Sequence, residues 1–172
     1  MRNTRLFLFV LLVLAVASSA SMGHVRKGIN ELSLRGSIDV VSANGNSNTS
    51  TEIGLGLGHS FTDNLQPGVN FSLVKLENVD AFGTLGGFVN YYFLTAPEAR
   101  TVPYLGGTVG MGYGSGDDPF IWGGYGGVKI FVVNNADGGG GALSLEPFYQ
   151  RLNFEAGGID NFGLRTGISV LF

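Results

Sequence analysis

The end of the chain alternates between apolar and polar or small residues over the segment 161–172, which reads N-F-G-L-R-T-G-I-S-V-L-F. Successive side chains of a β-strand point to opposite faces, so this alternation predicts a strand with two unlike faces. One face carries the large apolar residues Phe162, Leu164, Ile168, Val170 and Phe172. The other face carries Asn161, Gly163, Arg165, Gly167 and Ser169. A strand that is apolar towards lipid, polar towards a lumen and aromatic at its end is typical of a membrane-spanning β-barrel.

The same period of two recurs in seven earlier segments, and no segment shows the 3.6-residue period of an amphipathic helix. The predicted strands are 31–41, 51–61, 67–77, 82–94, 101–113, 120–133, 142–154 and 161–172. Each is long enough to cross a bilayer at a tilt, which takes about 9 to 11 residues. The even strand number and regular length predict an all-β fold, an eight-stranded antiparallel up-and-down transmembrane β-barrel.

Residue usage excludes several kinds of site. The 172-residue chain has no cysteine, which excludes a disulfide framework, a thiolate metal site and a thiol nucleophile. Its two histidines, His24 and His59, are too few and too far apart to suggest a metal site. We therefore expect no cofactor and no metal. Glycine supplies 29 residues, which suits strands that curve or pack closely.

The first twenty residues have the pattern of a cleaved signal peptide. Arg2 and Arg5 precede the apolar run 6–16, and the small residues of 17–20 follow it, with cleavage expected after Ala20. The apolar run is shorter than the roughly 20 residues of a membrane-spanning helix. We divide the chain into a signal peptide (1–20), a periplasmic lead-in (21–30) and an outer-membrane barrel (31–172). The mature chain keeps eight basic and 13 acidic residues, a net charge of −5 that opposes nucleic-acid binding.

An even number of strands places both chain ends on one side of the membrane, which is the periplasmic side for an exported chain. The predicted periplasmic turns are 62–66, 95–100 and 134–141, and the outer loops are 42–50, 78–81, 114–119 and 155–159. The aromatic residues then form two girdles, as interface-seeking rings do. Phe61, Tyr91, Phe93 and Phe172 belong to the periplasmic girdle, and Tyr113, Trp122 and Phe162 to the outer one.

These features resemble the small eight-stranded outer-membrane β-barrels of Gram-negative bacteria, the group of the OmpA transmembrane domain, OmpX and the opacity proteins. Besides the signal peptide, the resemblance rests on V-P-Y-L-G at 102–106, on G-G-V-K at 126–129 with Phe131, and on the terminal Phe172. It covers about residues 28–172 and implies a monomer in the outer membrane, in contact with lipid and lipopolysaccharide. Phe172 resembles the signal that the barrel-assembly machinery reads. The short outer loops oppose the adhesin or receptor role of long-looped members.

Six charged residues fall on the lumen face of the predicted strands, namely Arg35, Asp39, Glu52, Lys129, Glu146 and Arg165, with Glu31 near the entrance. Because the seventh, eighth and first predicted strands are neighbours in a closed barrel, we expect Arg165 to meet Glu146 or Asp39, with Arg35 joining them. An eight-stranded lumen is only wide enough for side chains to fill, and buried charges there must be paired. The charges therefore predict a structural plug, with a narrow or gated water path as the alternative.

Two basic residues, Lys75 and Arg151, fall on the outward face near the outer ends of their strands. They are positioned to contact lipid phosphates, where charge costs less than at the bilayer midplane. Ordinary snorkelling at the interface is the alternative. A register slip of one residue would instead turn Lys75 inward.

No catalytic site is expected. His59 and Ser60 are adjacent in one strand, so their side chains point to opposite faces and cannot share a proton. The run Gly138–Gly141 precedes no helix and lacks a Gly-Lys-Ser/Thr ending, so it predicts a turn and not a phosphate site.

The sequence thus predicts a structural, non-enzymatic outer-membrane barrel that contributes to membrane integrity and has a plugged lumen. The alternatives are a small low-conductance pore and a lipid A-binding or lipid-modifying barrel. A soluble secreted barrel would need the alternation inverted, with Trp122 and Phe172 buried.

Overall fold

The computed structural model describes residues 25–43, 46–76, 81–93, 100–114, 118–134, 139–155 and 157–172, which form one closed antiparallel barrel of eight strands. The strands are β1 (Asn30–Ala43), β2 (Asn46–His59), β3 (Leu65–Leu76), β4 (Phe82–Tyr92), β5 (Thr101–Tyr113), β6 (Phe120–Asn134), β7 (Gly140–Phe154) and β8 (Gly157–Leu171). They follow one another around the barrel in chain order, and the predicted fold class is confirmed. In the described part of the chain, no helix has the length and hydropathy to span a membrane. The predicted signal peptide, residues 1–20, lies outside the described residues.

Pairing of β1 with β8 closes the barrel. The Asn30 main-chain N–H donates to the Phe172 carbonyl at 2.8 Å, and the Phe172 N–H donates to the Asn30 carbonyl at 2.9 Å. Both ends of the described chain therefore lie at the same end of the barrel. We call this the terminal end, and the opposite end, where β1 connects to β2 and β7 to β8, the far end.

The predicted apolar outer face is present on every strand, and the lumen face carries polar residues together with two buried apolar clusters. Large apolar side chains point outward, with Ile38 72% and Phe172 60% exposed. Polar residues of the same strands point inward, and Asp39 is only 1% exposed. Trp122 is 42% exposed, so the inverted arrangement of a soluble barrel is wrong. The aromatic residues predicted for the two girdles are also exposed on the outer face.

Two far-end connections are shorter than predicted. Ser42 pairs with Ser47 and Ala43 with Asn46, so most of the predicted loop 42–50 is strand. The sequence between the last pair is Asn-Gly, the residues that a two-residue hairpin favours, and this signal was overlooked. The final strand likewise begins at Gly157 and not at residue 161, since Phe154 pairs with Gly157. Gly157 has a φ of +143°, a backbone conformation that residues other than glycine rarely adopt.

Candidate functional site

The lumen near the terminal end is built around a buried ion pair. Lys129 of β6 and Glu31 of β1 face each other across the lumen, with Nζ 2.5 Å from Oε2 and both side chains under 5% exposed. The Lys129 ammonium also donates to the Tyr92 hydroxyl at 2.7 Å. The Ser169 hydroxyl donates to the other Glu31 oxygen at 2.7 Å. Glu31, which the sequence placed only near the entrance, is therefore a central member of the lumen network.

Amide and hydroxyl groups extend this network around the barrel wall. Gln66 Nε2 donates to Glu31 at 3.0 Å, and the Gln66 carbonyl accepts from the Tyr92 hydroxyl at 2.8 Å and from Asn90 at 3.0 Å. The Tyr125 hydroxyl donates to Asn90 Oδ1 at 2.6 Å. We call these residues the terminal cluster: Glu31, Gln66, Asn90, Tyr92, Tyr125, Lys129 and Ser169. None of them has a buried polar side-chain atom without a hydrogen-bond partner.

A residue outside the strands closes the terminal end. Val25 is 2% exposed and packs in the same apolar cluster as Tyr92, Tyr104 and Phe131, with Ile29 against it. The Gly28 N–H donates to the Ser60 carbonyl at 2.7 Å, which ties this segment to the barrel rim. Val25, within the predicted periplasmic lead-in, is therefore part of the packing at the terminal end. A single apolar residue in a polar segment shows no periodicity, so the pattern could not reveal its burial.

Halfway along the barrel lies a second set of charges, Arg35, Glu52, Glu146 and Arg165, which we call the middle layer. The Arg165 guanidinium lies 3.2 Å from Glu52 and 3.8 Å from Glu146. The Arg35 guanidinium is centred 5.1 Å from the ring of Phe88. The expected approach of Arg165 to Glu146 is present, because the two residues are direct register partners. Sequence reasoning missed the contact with Glu52, which reaches across β1.

Asp39 lies nearer the far end, and its hydrogen-bond partners are neutral side chains. Its Oδ2 accepts from the Ser50 hydroxyl at 2.9 Å and from Asn161 Nδ2 at 3.3 Å. Among the described residues no ion pair includes Asp39. Of the two partners expected for Arg165, the structure therefore brings Glu146 and not Asp39 to it, since that guanidinium lies between Glu52 and Glu146.

The far half of the lumen contains a small cavity of about 30 Å³. Its polar lining is Glu52, Asn70, Thr84, Thr108, Gln150 and Asn161. The Oδ1 atoms of Asn70 and Asn161 are buried without a hydrogen-bond partner. Towards the far end an apolar cluster narrows the lumen, formed by Val41, Val74, Phe82, Ile121 and Leu152. A volume of this size accommodates about one water molecule.

The two outward basic residues occupy different surroundings. Lys75 is exposed on the outer face, so the register slip that would turn it inward does not occur. Arg151 pairs with Asp160 at 2.9 Å, and both side chains are 37% exposed. The Tyr149 hydroxyl donates to the same Asp160 oxygen at 2.8 Å. Arg151 thus already has an anionic partner, which sequence reasoning did not anticipate. Contact of either residue with lipid phosphate stays a prediction.

The side chains of His59 and Ser60 point to opposite faces of the barrel wall, as expected for neighbouring residues of one strand. His59 is exposed on the outer face with its Nδ1 2.9 Å from Asn30 Oδ1, whereas Ser60 is fully buried. Within the described ranges, no group of three or more metal-ligating residues converges. Phe172 is exposed beside the terminal end, where its main chain pairs with Asn30. Its role as an assembly signal stays a prediction.

No protein-family model and no curated protein sequence matches the chain. Solved structures do match its fold. Neisserial surface protein A is 17% identical with a TM-score of 0.68, over 84% of this chain and 99% of the other. The N-terminal β-barrel domain of Pseudomonas aeruginosa OprF is 14% identical with a TM-score of 0.56, over 85% and 98%. The outer membrane protein OprG of the same organism is 13% identical with a TM-score of 0.55, over 87% and 98%.

These similarities concern the backbone architecture. At such low identity they show that the chain has the fold of the small eight-stranded outer-membrane barrels, as the resemblance in the sequence predicted. They carry no information about individual side chains in the lumen.

Proposed function

We propose that the protein is a structural, non-enzymatic β-barrel of the bacterial outer membrane, with both termini in the periplasm. The observation that carries the proposal is the continuous apolar outer face, which includes Ile38, Val69, Val109 and Ile168 at 55–72% exposure. Monomeric soluble proteins rarely expose apolar patches beyond a few hundred Å². A closed barrel with such a face satisfies every backbone group internally and suits a lipid environment.

The contents of the lumen support a plug that contributes to membrane integrity and does not conduct solutes. The terminal cluster and the Val25 contacts fill the terminal half with hydrogen-bonded and apolar side chains. Arg165 bridges two carboxylates in the middle layer. Removing a partner from such a buried arrangement is costly, so its members resist displacement. In this proposal the long lumen side chains stabilise the barrel.

Location and barrel closure are tested together in fractionated expressing cells. We expect the protein in the outer-membrane fraction, with a gel mobility in detergent that changes on boiling because the closed barrel resists the detergent until heated. Recovery from the soluble periplasm or the medium, without a heat-dependent shift, would refute the membrane proposal. Protease added to intact cells checks the topology, since a tag inserted between Ala20 and Val25 should survive until the outer membrane is permeabilised.

The second candidate is a small low-conductance pore, which the polar cavity of the far half favours. Planar bilayers distinguish the two. A plug predicts no conductance from the wild type, and Arg165→Gln should lower stability without opening a current. A pore predicts a current that Arg165→Gln or Glu146→Gln changes. Asp160→Asn is the control, because Asp160 lies on the outer surface and not in the lumen.

The lipid-binding or lipid-modifying alternative has less support, because His59 and Ser60 point to opposite sides of the wall. The lipid A of cells with and without the protein should carry the same acyl chains. An acylation difference that disappears with His59→Ala would instead establish an enzyme. The proposed partners are outer-membrane lipid, lipopolysaccharide and, through the last strand, the barrel-assembly machinery.

A further inference from the structure

The charges of the lumen sum to zero in the terminal cluster and in the middle layer, but not nearer the far end, where Asp39 lies. The terminal cluster contains one cation and one anion, Lys129 and Glu31. The middle layer contains two arginines and two glutamates. Asp39 then remains as one carboxylate, 1% exposed, with hydrogen bonds but no ion pair among the described residues. A buried charge without a counter-charge is strongly unfavourable, so Asp39 is neutralised either by a proton or by a bound cation.

One oxygen of this carboxylate and one of the neighbouring amide accept no hydrogen bond, and the Ser37 hydroxyl on the same face of β1 is likewise buried without a partner. Asp39 Oδ1 and Asn161 Oδ1 are both without a hydrogen-bond partner, and Asn161 is 4% exposed. Asn161 Nδ2 donates to Asp39 Oδ2, so the amide oxygen is the atom of this side chain that is left without a partner. Asp39 pairs in register with Gly163 and Val41 with Asn161, so the two side chains are diagonal neighbours on the lumen face.

A cavity adjoins these groups. Asn161 lines it together with Glu52 and with Asn70, whose Oδ1 is a third unpartnered acceptor. Carboxylate and amide oxygens are hard ligands that favour cations binding through oxygen. A divalent ion such as calcium takes six to eight oxygens, commonly from several carboxylates. One uncompensated negative charge matches a monovalent ion instead, and the adjoining cavity, which Asn161 lines and Asp39 does not, has room for about one water ligand.

We propose that Asp39 and Asn161 form a binding site for a monovalent alkali cation of sodium's size, beside the cavity in the far half of the lumen. The bound ion neutralises the remaining charge and receives the amide and carboxylate oxygens that have no donor. Glu52 is less suited to the same role because Arg165 already neutralises it. The site depends on the barrel fold and the lumen side chains, and not on whether the protein conducts.

The test is the urea midpoint of the purified protein in detergent micelles, measured against sodium chloride with choline chloride keeping the ionic strength constant. We expect the midpoint to rise with sodium and saturate. Asp39→Asn should abolish this dependence. Asn161→Ala should raise the half-saturating sodium concentration about tenfold or more, as loss of a supporting ligand does. Asp160→Asn, which removes an exposed far-end carboxylate, should leave the dependence unchanged.

Equal midpoints in sodium and in choline would overturn the proposal, as would a sodium dependence that survives Asp39→Asn. A proton on Asp39 is the competing explanation. It predicts a midpoint that responds to pH but not to sodium, with Glu52, Arg165 and Glu146 as the nearby charged groups. If Asp39→Asn does not fold, the sodium NMR line width decides. The wild type should broaden the line and Asn161→Ala should narrow it again, and a line that the wild type leaves unchanged refutes the site.

Discussion

The terminal half of the lumen is filled by long side chains that hydrogen-bond across the barrel, whereas the far half surrounds a cavity with shorter polar groups. In the terminal half, Lys129 and Glu31 join strands that are not neighbours, and Gln66 and Asn90 complete the contacts. In the far half, Asn70 and Asn161 leave buried oxygens without donors. The same alternation of outward and inward residues forms the barrel wall in both halves. Side-chain length and hydrogen-bonding capacity therefore decide whether the interior is filled.

Glycine positions explain how the terminal half accommodates large rings. Gly106 pairs in register with Tyr125, and a Cβ on Gly106 would lie 2.6 Å from the Tyr125 hydroxyl oxygen. Gly68 likewise pairs in register with Phe88, and a Cβ on Gly68 would overlap the Phe88 ring. A glycine on one strand thus leaves the space that an aromatic side chain from its neighbour occupies. Gly54 lies beside the middle layer as the register partner of Arg35, and a Cβ there would have Ser72 Oγ as its nearest contact, at 3.0 Å.

The largest expected effect comes from breaking the ion pair of the terminal cluster. Lys129→Met leaves Glu31 buried without its cation, and we expect a loss of about 3–5 kcal/mol in the free energy of unfolding. Urea titration of the barrel in lipid vesicles measures this loss. A cost below about 1 kcal/mol would show that the terminal half is less tightly coupled than its contacts imply.

The double variant Lys129→Met/Glu31→Gln is the control for this interpretation. Because it removes both charges, it should recover much of the stability that the single variant loses. If the double variant is as unstable as the single one, packing and not charge accounts for the loss.

Neighbouring glycines on opposite faces give the next largest effect. Gly106→Ala pushes a methyl group against Tyr125 in the lumen, and we expect a loss of about 1–3 kcal/mol. Gly107→Ala points outward, where the nearest atom is the Gly123 carbonyl oxygen at 3.6 Å, and it should be neutral or slightly stabilising. Gly54→Ala, beside the middle layer, should cost less than Gly106→Ala, because its nearest contact is the small Ser72 hydroxyl at 3.0 Å. Equal losses at Gly106 and Gly54 would show that the space left for the Tyr125 ring does not set the cost at Gly106.

The lead-in residue Val25 tests whether the terminal half depends on a segment outside the strands. Val25→Ala removes two buried methylene equivalents and should cost about 1.5–2 kcal/mol. Lys27→Ala is the matched control, because the Lys27 side chain is exposed and its main-chain N–H, which donates to Asp63, is retained. Urea titration of both variants in the same vesicles makes the comparison. A neutral Val25→Ala would mean that the strands alone close this end.

Which strand residues point outward and which point into the lumen was predictable from the sequence, because this depends only on a local period of two. The pairing of Arg165 with Glu146 was also accessible, since β7 and β8 are sequence neighbours and the residues are register partners. Lys129 and Glu31 are 98 residues apart on strands that do not touch. Their meeting depends on the stagger of all eight strands, which no local pattern contains.

The smallest expected effect concerns an ion pair on the outer surface. Arg151 and Asp160 lie 2.9 Å apart, much like the buried pair, but each side chain is 37% exposed. Solvent competes for both charges there, and exposed pairs contribute little. Asp160→Asn should therefore leave the urea midpoint unchanged within error in detergent and in vesicles. A marked loss confined to vesicles would mean that lipid covers the pair and makes it behave like Lys129 and Glu31. Position relative to the bilayer, and not the distance between the charges, would then set the strength of the pair.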